Sequence, residues 1–334
     1  MLPFWGSLIS IFFLLVRRTL PDSGKVLLTS RKNILIRDPL NGSLVGELKG
    51  HRSHIKKVWV SPDGSRAISC SLDKTIRIWD LHSGTELAVL NEHTDGVLTM
   101  DISRDRNRLI TGGWDEQIIE WDLEQNKKRR TYPGHKSCIE HLAYIHEDKH
   151  IISISYDYIL KLWDSGTGAC LHTITHPQQI TAWSMLDSKD NLYLGYKDGS
   201  LSYWDLTEMK EQRPFEGHDD LVSCLMLAEP DQALFSGSRD GTLRQWDLST
   251  GECTTEFKGH TDEIIYIRKF PGESRIITAS WDHTLRVWEM YSGRCIGVLT
   301  TNLLVTGLSQ VQDSGKFAYG TMQGEFNIID PGQY

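Results

Sequence analysis

Tryptophan followed by an acidic residue recurs six times along the chain, at Trp79-Asp80, Trp121-Asp122, Trp163-Asp164, Trp204-Asp205, Trp246-Asp247 and Trp288-Glu289. Successive tryptophans are 42, 42, 41, 42 and 42 residues apart. A histidine runs in step 28 residues ahead of each one: His51, His93, His135, His176, His218 and His260, four of them preceded by glycine. Few folds tolerate such a period. It implies one supersecondary unit, unable to bury its apolar face alone, repeated until neighbouring copies form a continuous core.

A single copy, IKKVWVSPDGSRAISCSLDKTIRIWDLHSGTELAVLNEH, reads as four short strands joined by turns at SPDG, LDK and LHSG. Glycine, aspartate and asparagine supply the positive φ that tight hairpins require. Alternation in TIRIWD puts Ile76, Ile78 and Asp80 on one face and Thr75, Arg77 and Trp79 on the other. The GH and WD marks at this period make the chain similar to the WD-repeat β-propeller family, and the resemblance covers essentially its whole length. The fold it implies is all-β, with four-stranded blades around a channel.

The resemblance also implies a hydrogen-bonded line of His, Ser or Thr, Asp and Trp in each full repeat. The matching sets are His51, Ser69 or Ser71, Asp73 and Trp79; His93, Thr111, Asp115 and Trp121; and His135, Ser153 or Ser155, Asp157 and Trp163. Two more are His218, Ser236 or Ser238, Asp240 and Trp246; and His260, Thr278 or Ser280, Asp282 and Trp288. The repeat of His176, Asp198 and Trp204 has Leu194 and Tyr196 where the hydroxyl should stand, so its line is expected to be broken and its blade the loosest.

One period before Trp79 stands Arg37-Asp38, and near one period after Trp288 stands Ile329-Asp330. Both keep the acidic residue without the tryptophan, which makes eight repeats, two of them degraded, with seven blades as the alternative. The last repeat ends after its third strand. Residues 1–10, and within them Leu2 to Ile9, have the phase of an outer strand and are expected to close the ring, with Leu14 to Leu20 as the next inner strand; the whole chain is then one domain, 1–334. The competing reading of residues 2–16 is a membrane tether. Fifteen uncharged residues fall short of the roughly 17 to 25 that a spanning helix needs, and Pro3, Gly6, Ser7 and Ser10 interrupt them. A boundary inside a longer polypeptide, such as a signalling ATPase carrying a regulatory propeller, is a further alternative.

With 44 acidic against 36 basic residues the formal charge is −8, which repels phosphate backbones and argues against nucleic acid. Six cysteines lack a CxxC pair and suit a reducing, cytoplasmic setting. HEDKH at His146–His150 matches the HExxH pattern of zinc peptidases, but that motif needs a helix and here aligns with the SPDG turn, so a solvated turn is expected and no metal. NKKRR at Asn126–Arg130 reads as a turn and outer strand, and no nucleophile signature or phosphate loop is present. The sequence therefore points to a non-catalytic scaffold or sensor, without cofactor, that docks a protein or peptide.

In the resembled family partners most often meet the narrow end of the channel. The position before each turn aspartate is Leu72, Trp114, Tyr156, Lys197, Arg239 and Trp281, with Met322 in the last repeat; inner-strand positions add His54, Lys56, Leu98, Cys138, Glu140, Leu221 and Glu263. Aromatic and arginine side chains anchor interfaces because they bury large areas with few rotors. Two cations, Lys197 and Arg239, between aromatic anchors would suit an acidic or phosphorylated peptide.

Overall fold

The structure, a computed structural model, describes residues 26–38, 42–185, 190–215, 217–228, 233–311, 316–321 and 325–330. These residues form strands and turns, with no helix among them. Eight antiparallel sheets follow one another around a ring, which makes the chain an eight-bladed propeller rather than a seven-bladed one.

Blade 2 is the simplest to follow. Its strands, a to d from the channel outward, are Ile55–Val60, Arg66–Ser71, Ile76–Asp80 and Glu86–Leu90. Strands b and c are almost wholly buried because both of their faces pack against neighbouring blades, whereas strand d is half-exposed at the rim. Blades 3 to 7 repeat the plan from inner strands Val97–Ile102, Ile139–Ile145, Ile180–Met185, Val222–Ala228 and Ile264–Lys269.

The blades interlock through aromatic edges. Tyr132, Phe215 and Phe257 end the outer strands of blades 3, 5 and 6, and each meets the tryptophan of the following blade edge-on, with ring centroids 5.8 Å apart at Trp163, Trp246 and Trp288. Such pairs contribute roughly 0.5–1.5 kcal/mol beyond area burial.

Three strands are described in each terminal blade. Blade 1 has strands b, c and d at Val26–Ser30, Asn33–Arg37 and Leu44–Leu48, and blade 8 has a, b and c at Val305–Gln310, Phe317–Thr321 and Phe326–Ile329. Leu28 of blade 1 packs with Val311 and Ala318 of blade 8, and Leu35 and Phe326 cover the contact, so the two ends of the propeller share a core. The strands assigned from sequence to Leu2–Ile9 and Leu14–Leu20 lie outside the described residues.

Candidate functional site

Five blades carry the same hydrogen-bonded line. Histidine Nδ1 lies 2.8, 2.7, 3.1, 2.9 and 2.7 Å from the carboxylates of Asp73, Asp115, Asp157, Asp240 and Asp282, at His51, His93, His135, His218 and His260. Nε2 of each ring meets the hydroxyl of Ser69, Thr111, Ser153, Ser236 or Thr278 at 2.7–2.8 Å. The same hydroxyls accept the indole N–H of Trp79, Trp121, Trp163, Trp246 and Trp288 at 2.7–2.8 Å. Since indole can only donate, the hydroxyl gives its own proton to Nε2, and Nδ1–H is left to face the carboxylate. The second hydroxyl of each sequence pair ties the turn to the chain entering the blade, since Ser71, Ser155, Ser238 and Ser280 donate to the carbonyls of Ser53, Ser137, Asp220 and Asp262.

Blade 5 differs from the broken line read from its sequence. The Tyr196 hydroxyl stands 3.0 Å from Nδ1 of His176 and 2.7 Å from Oγ of Ser202, and Ser202 accepts the Trp204 indole N–H at 2.8 Å. A phenol on strand b and a serine on strand c thus span the gap left by Leu194. Asp198 is outside this line and caps Ser200 instead. Nε2 of His176 is buried without a partner, and burial pushes the imidazole down to about 4. Trp204 is 8% exposed where the other five repeat tryptophans are at most 1%.

The positions before the turn aspartates occupy equivalent places on one end of the ring. Backbone N–H groups of Leu72, Trp114, Tyr156, Lys197, Arg239 and Trp281 donate to the carbonyls of His54, Gly96, Cys138, Gln179, Leu221 and Glu263, tying each turn to the entry of its inner strand. Trp114 is 41% exposed; Tyr156, Trp281 and Leu72 are half-buried, and Lys197 and Arg239 are exposed. Trp114 and Leu72 converge over Gly96, where an added Cβ would stand 3.0 Å from Leu72 and 3.1 Å from the indole. Tyr156 lies with Tyr158, ring centroids 6.4 Å apart, and Tyr158 is an exposed aromatic that the sequence reading missed. Met322 lies outside the described residues.

Arg239 corrects the two-cation picture. Its Nε donates to Asp220 at 2.8 Å, and Glu263 and Asp262 stand close enough to raise its pKa further. Its charge is already answered. Positive charge on this end gathers instead at Arg31, Lys32 and Arg52 around blades 1 and 2, with His54 lowered by burial and by Arg31 and Lys56.

Lys56, Leu98 and Glu140 share a feature invisible in the sequence, since each is the extra residue of a bulge in its inner strand. Burial draws Lys56 down to about 8 and Glu140 up to about 7, each partly offset by the opposite charge of the other across the channel mouth. Burial likewise raises Glu263. Bulge residues Thr181 and Ser223 instead turn their hydroxyls to the carbonyls of Val222 and Ile264 in the next blade, stapling blades 5 to 7. Among the described residues no group of three or more His, Cys, Asp or Glu is placed to hold a metal ion.

The NKKRR run serves the protein itself. Lys128 pairs with Glu92 at 2.9 Å, and Arg130 donates to the carbonyls of Ser165 and Gly166 in blade 4 at 2.9 and 2.7 Å. Beneath it lies Glu120, fully buried on strand c where blade 2 has Ile78 and blade 4 has Leu162. It accepts from the hydroxyls of Tyr132 and Tyr144 at 3.2 and 3.1 Å and from Arg108 at 3.3 Å.

An eight-bladed ring with this line repeated in five blades defines a WD-repeat β-propeller. A family model described as "WD domain, G-beta repeat" matches residues 42–80. One described as "IFT122 first beta-propeller" matches residues 75–330, well over half of the chain, and the chain belongs to that family.

Among curated relatives, the nuclear distribution protein PAC1 of Arthroderma otae is 29% identical over 215 residues, 62% of this chain and 42% of its own length. The nuclear distribution protein nudF of Emericella nidulans is 27% identical over 104 residues, 30% of this chain and 23% of its own length. Autophagy-related protein 16 of Arabidopsis thaliana is 28% identical over 102 residues, 30% of this chain and 20% of its own. The chain thus matches well under half the length of each, and none of the three carries the name of an enzyme. The crystal structure of the computationally designed Ika8 protein superposes with a TM-score of 0.80 at 25% identity, covering 91% of this chain and 92% of that one. Among the described residues no helix is long and apolar enough to cross a membrane.

Proposed function

We propose that this propeller is a non-catalytic, cytoplasmic docking platform that receives a protein or peptide partner on the end of the ring bearing the turn aspartates. The observation that carries the reading is the placement of Trp114, Tyr156 and Trp281 before those aspartates, Trp114 exposed and the other two half-buried. Rigid aromatics on hydrogen-bonded turns lose little entropy when a partner covers them. An acidic or phosphorylated segment fits this reading at blades 1 and 2, where Arg31, Lys32 and Arg52 stand, with Lys197 as a further cation.

The test is affinity capture from the native source with the intact chain, the Trp114→Ala, Tyr156→Ala, Trp281→Ala triple variant, and Lys127→Ala on the rim. The triple variant is expected to lose a partner that the other two retain, at a cost of about 2 kcal/mol or more for each true anchor. Near-UV circular dichroism establishes that the variants are folded. Identical partner lists for all three proteins would move the docking site elsewhere.

A further inference from the structure

We propose that the turn between strands a and b of blade 4 is a two-histidine chelate for a divalent transition-metal ion, with His146 and His150 each offering Nδ1. The site lies on the opposite end of the ring from the turn aspartates and is independent of the docking reading.

Geometry is the first argument. The two Nδ1 atoms are 3.1 Å apart, with their rings at 88°. A cation held at about 2.05 Å by two imidazole nitrogens sets them about 2.9 Å apart at an octahedral angle and about 3.3 Å apart at a tetrahedral one. The observed separation falls between, and chelation requires each ring to turn until its lone pair points about 35–45° off the Nδ1–Nδ1 line, where the two meet at one point. Without an ion, one of the two nitrogens must carry a proton for the pair to approach at all.

Preorganisation is the second. His146, Glu147 and Asp148 have φ of 49, 56 and 65°, three consecutive left-handed residues with no glycine among them. A run of this kind is costly and persists only where the surroundings dictate it. Here they do so from two sides. Asp148 accepts the Arg104 N–H of blade 3 at 2.6 Å, and its carbonyl accepts the Ser165 hydroxyl. Asp190 of blade 5 places a carboxylate oxygen 3.3 Å from the buried Nε2 of His146, outside hydrogen-bond geometry, so the carboxylate acts on that nitrogen through its charge alone. A carboxylate behind the far nitrogen favours the tautomer protonated there, which leaves Nδ1 free to bind.

On binding, the proton on the shared side moves to Nε2 of His150. Two imidazoles suit copper, zinc and nickel, with Cu²⁺ held most tightly, and water completes the shell. The sequence reading missed this because it tested HEDKH against a helix, whereas the hairpin brings the same two side chains together across a turn.

The full chain, stripped with chelator and titrated with Cu²⁺ and with Zn²⁺ by calorimetry, tests the proposal. The wild type is expected to bind one equivalent more than His146→Asn and than His150→Asn, with electron paramagnetic resonance of the Cu²⁺ form reporting two nitrogen ligands. Asp190→Asn is expected to weaken that equivalent about 10-fold or more, within the range for outer-shell partners. Melting temperatures establish that each variant is folded. Folded histidine variants that titrate like the wild type, or a Cu²⁺ spectrum unchanged by both substitutions, would overturn the chelate.

Discussion

Asp240 and Asp198 occupy the same place in their repeats and do different work. Asp240 accepts from His218, from the Asp219 and Thr242 N–H groups and from the Thr242 hydroxyl. Burial would push its carboxyl up, but the bonds from His218 and Thr242 outweigh this and hold it below the usual carboxylate range. Asp198 is exposed and caps one serine. Asp240→Ala is therefore expected to cost about 1.5–3 kcal/mol in denaturant unfolding, and Asp198→Ala no more than about 0.5. Equal losses would remove the carboxylate from the line. His176 gives a pH signature. Its folded pKa of about 4 lies below the ordinary 6.5, so between these values the unfolded chain takes up a proton that the folded one refuses. Stability falls as pH drops through that window, by about 3 kcal/mol in all from this group, and its contribution levels off below pH 4. His176→Gln should flatten the difference between pH 7 and pH 4.5 relative to the wild type, and parallel curves would count against a buried neutral imidazole.

At the level of strands and blades, the repeat was legible in the sequence because its marks are chemical necessities. A tryptophan whose indole needs an acceptor and a histidine whose ring needs two partners recur at fixed spacing, with the same hydroxyl and carboxylate in five blades and with Tyr196 and Ser202 standing in for that hydroxyl in blade 5. Connections between blades were not legible, since they depend on bulges and on neighbours about 40 residues away. Thr181, Ser223 and Arg130 look like ordinary surface residues until the ring sets them against the next blade. Glu120 left a trace, an acid in IIEWD where the other repeats have Ile78, Leu162, Tyr203, Gln245 and Val287, but its partners Tyr144 and Arg108 come from two blades. Glu120→Ala would strand two phenols and an arginine in the joint between blades 3 and 4, with an expected cost of about 3–5 kcal/mol. Glu120→Gln keeps two acceptor lone pairs and should cost clearly less. Matched midpoints for the two variants in guanidinium unfolding would mean that an acceptor of the same volume rescues nothing, and that the neutral hydrogen bonds do not hold the joint.

For the molecule as a whole, the question is what holds the ring shut. Leu28, Val311 and Ala318, with Leu35 and Phe326, join blades 1 and 8 among the described residues. Strand c of blade 8, Phe326–Ile329, pairs with strand b through Phe317↔Ile329 to Gly320↔Phe326, and its other edge is the place where a fourth strand would add. We assign that strand to Leu2–Ile9, on the 42-residue phase alone. A strand from one end of the chain laid against a blade from the other would act as a clasp, because opening the ring would then break a ladder as well as a core. Removing residues 1–12 is expected to lower the melting temperature by a few degrees, since each kcal/mol lost shifts the midpoint by roughly 2–4 °C in domains of 150–250 residues. Hydrogen exchange separates the clasp from a general loss of stability: the amides of Phe326–Ile329 should lose protection first while Ile159–Asp164 of blade 4, on the far side of the ring, keeps its own. If the truncated chain melts like the intact one and Phe326–Ile329 exchanges at its original rate, residues 2–9 do not close the propeller.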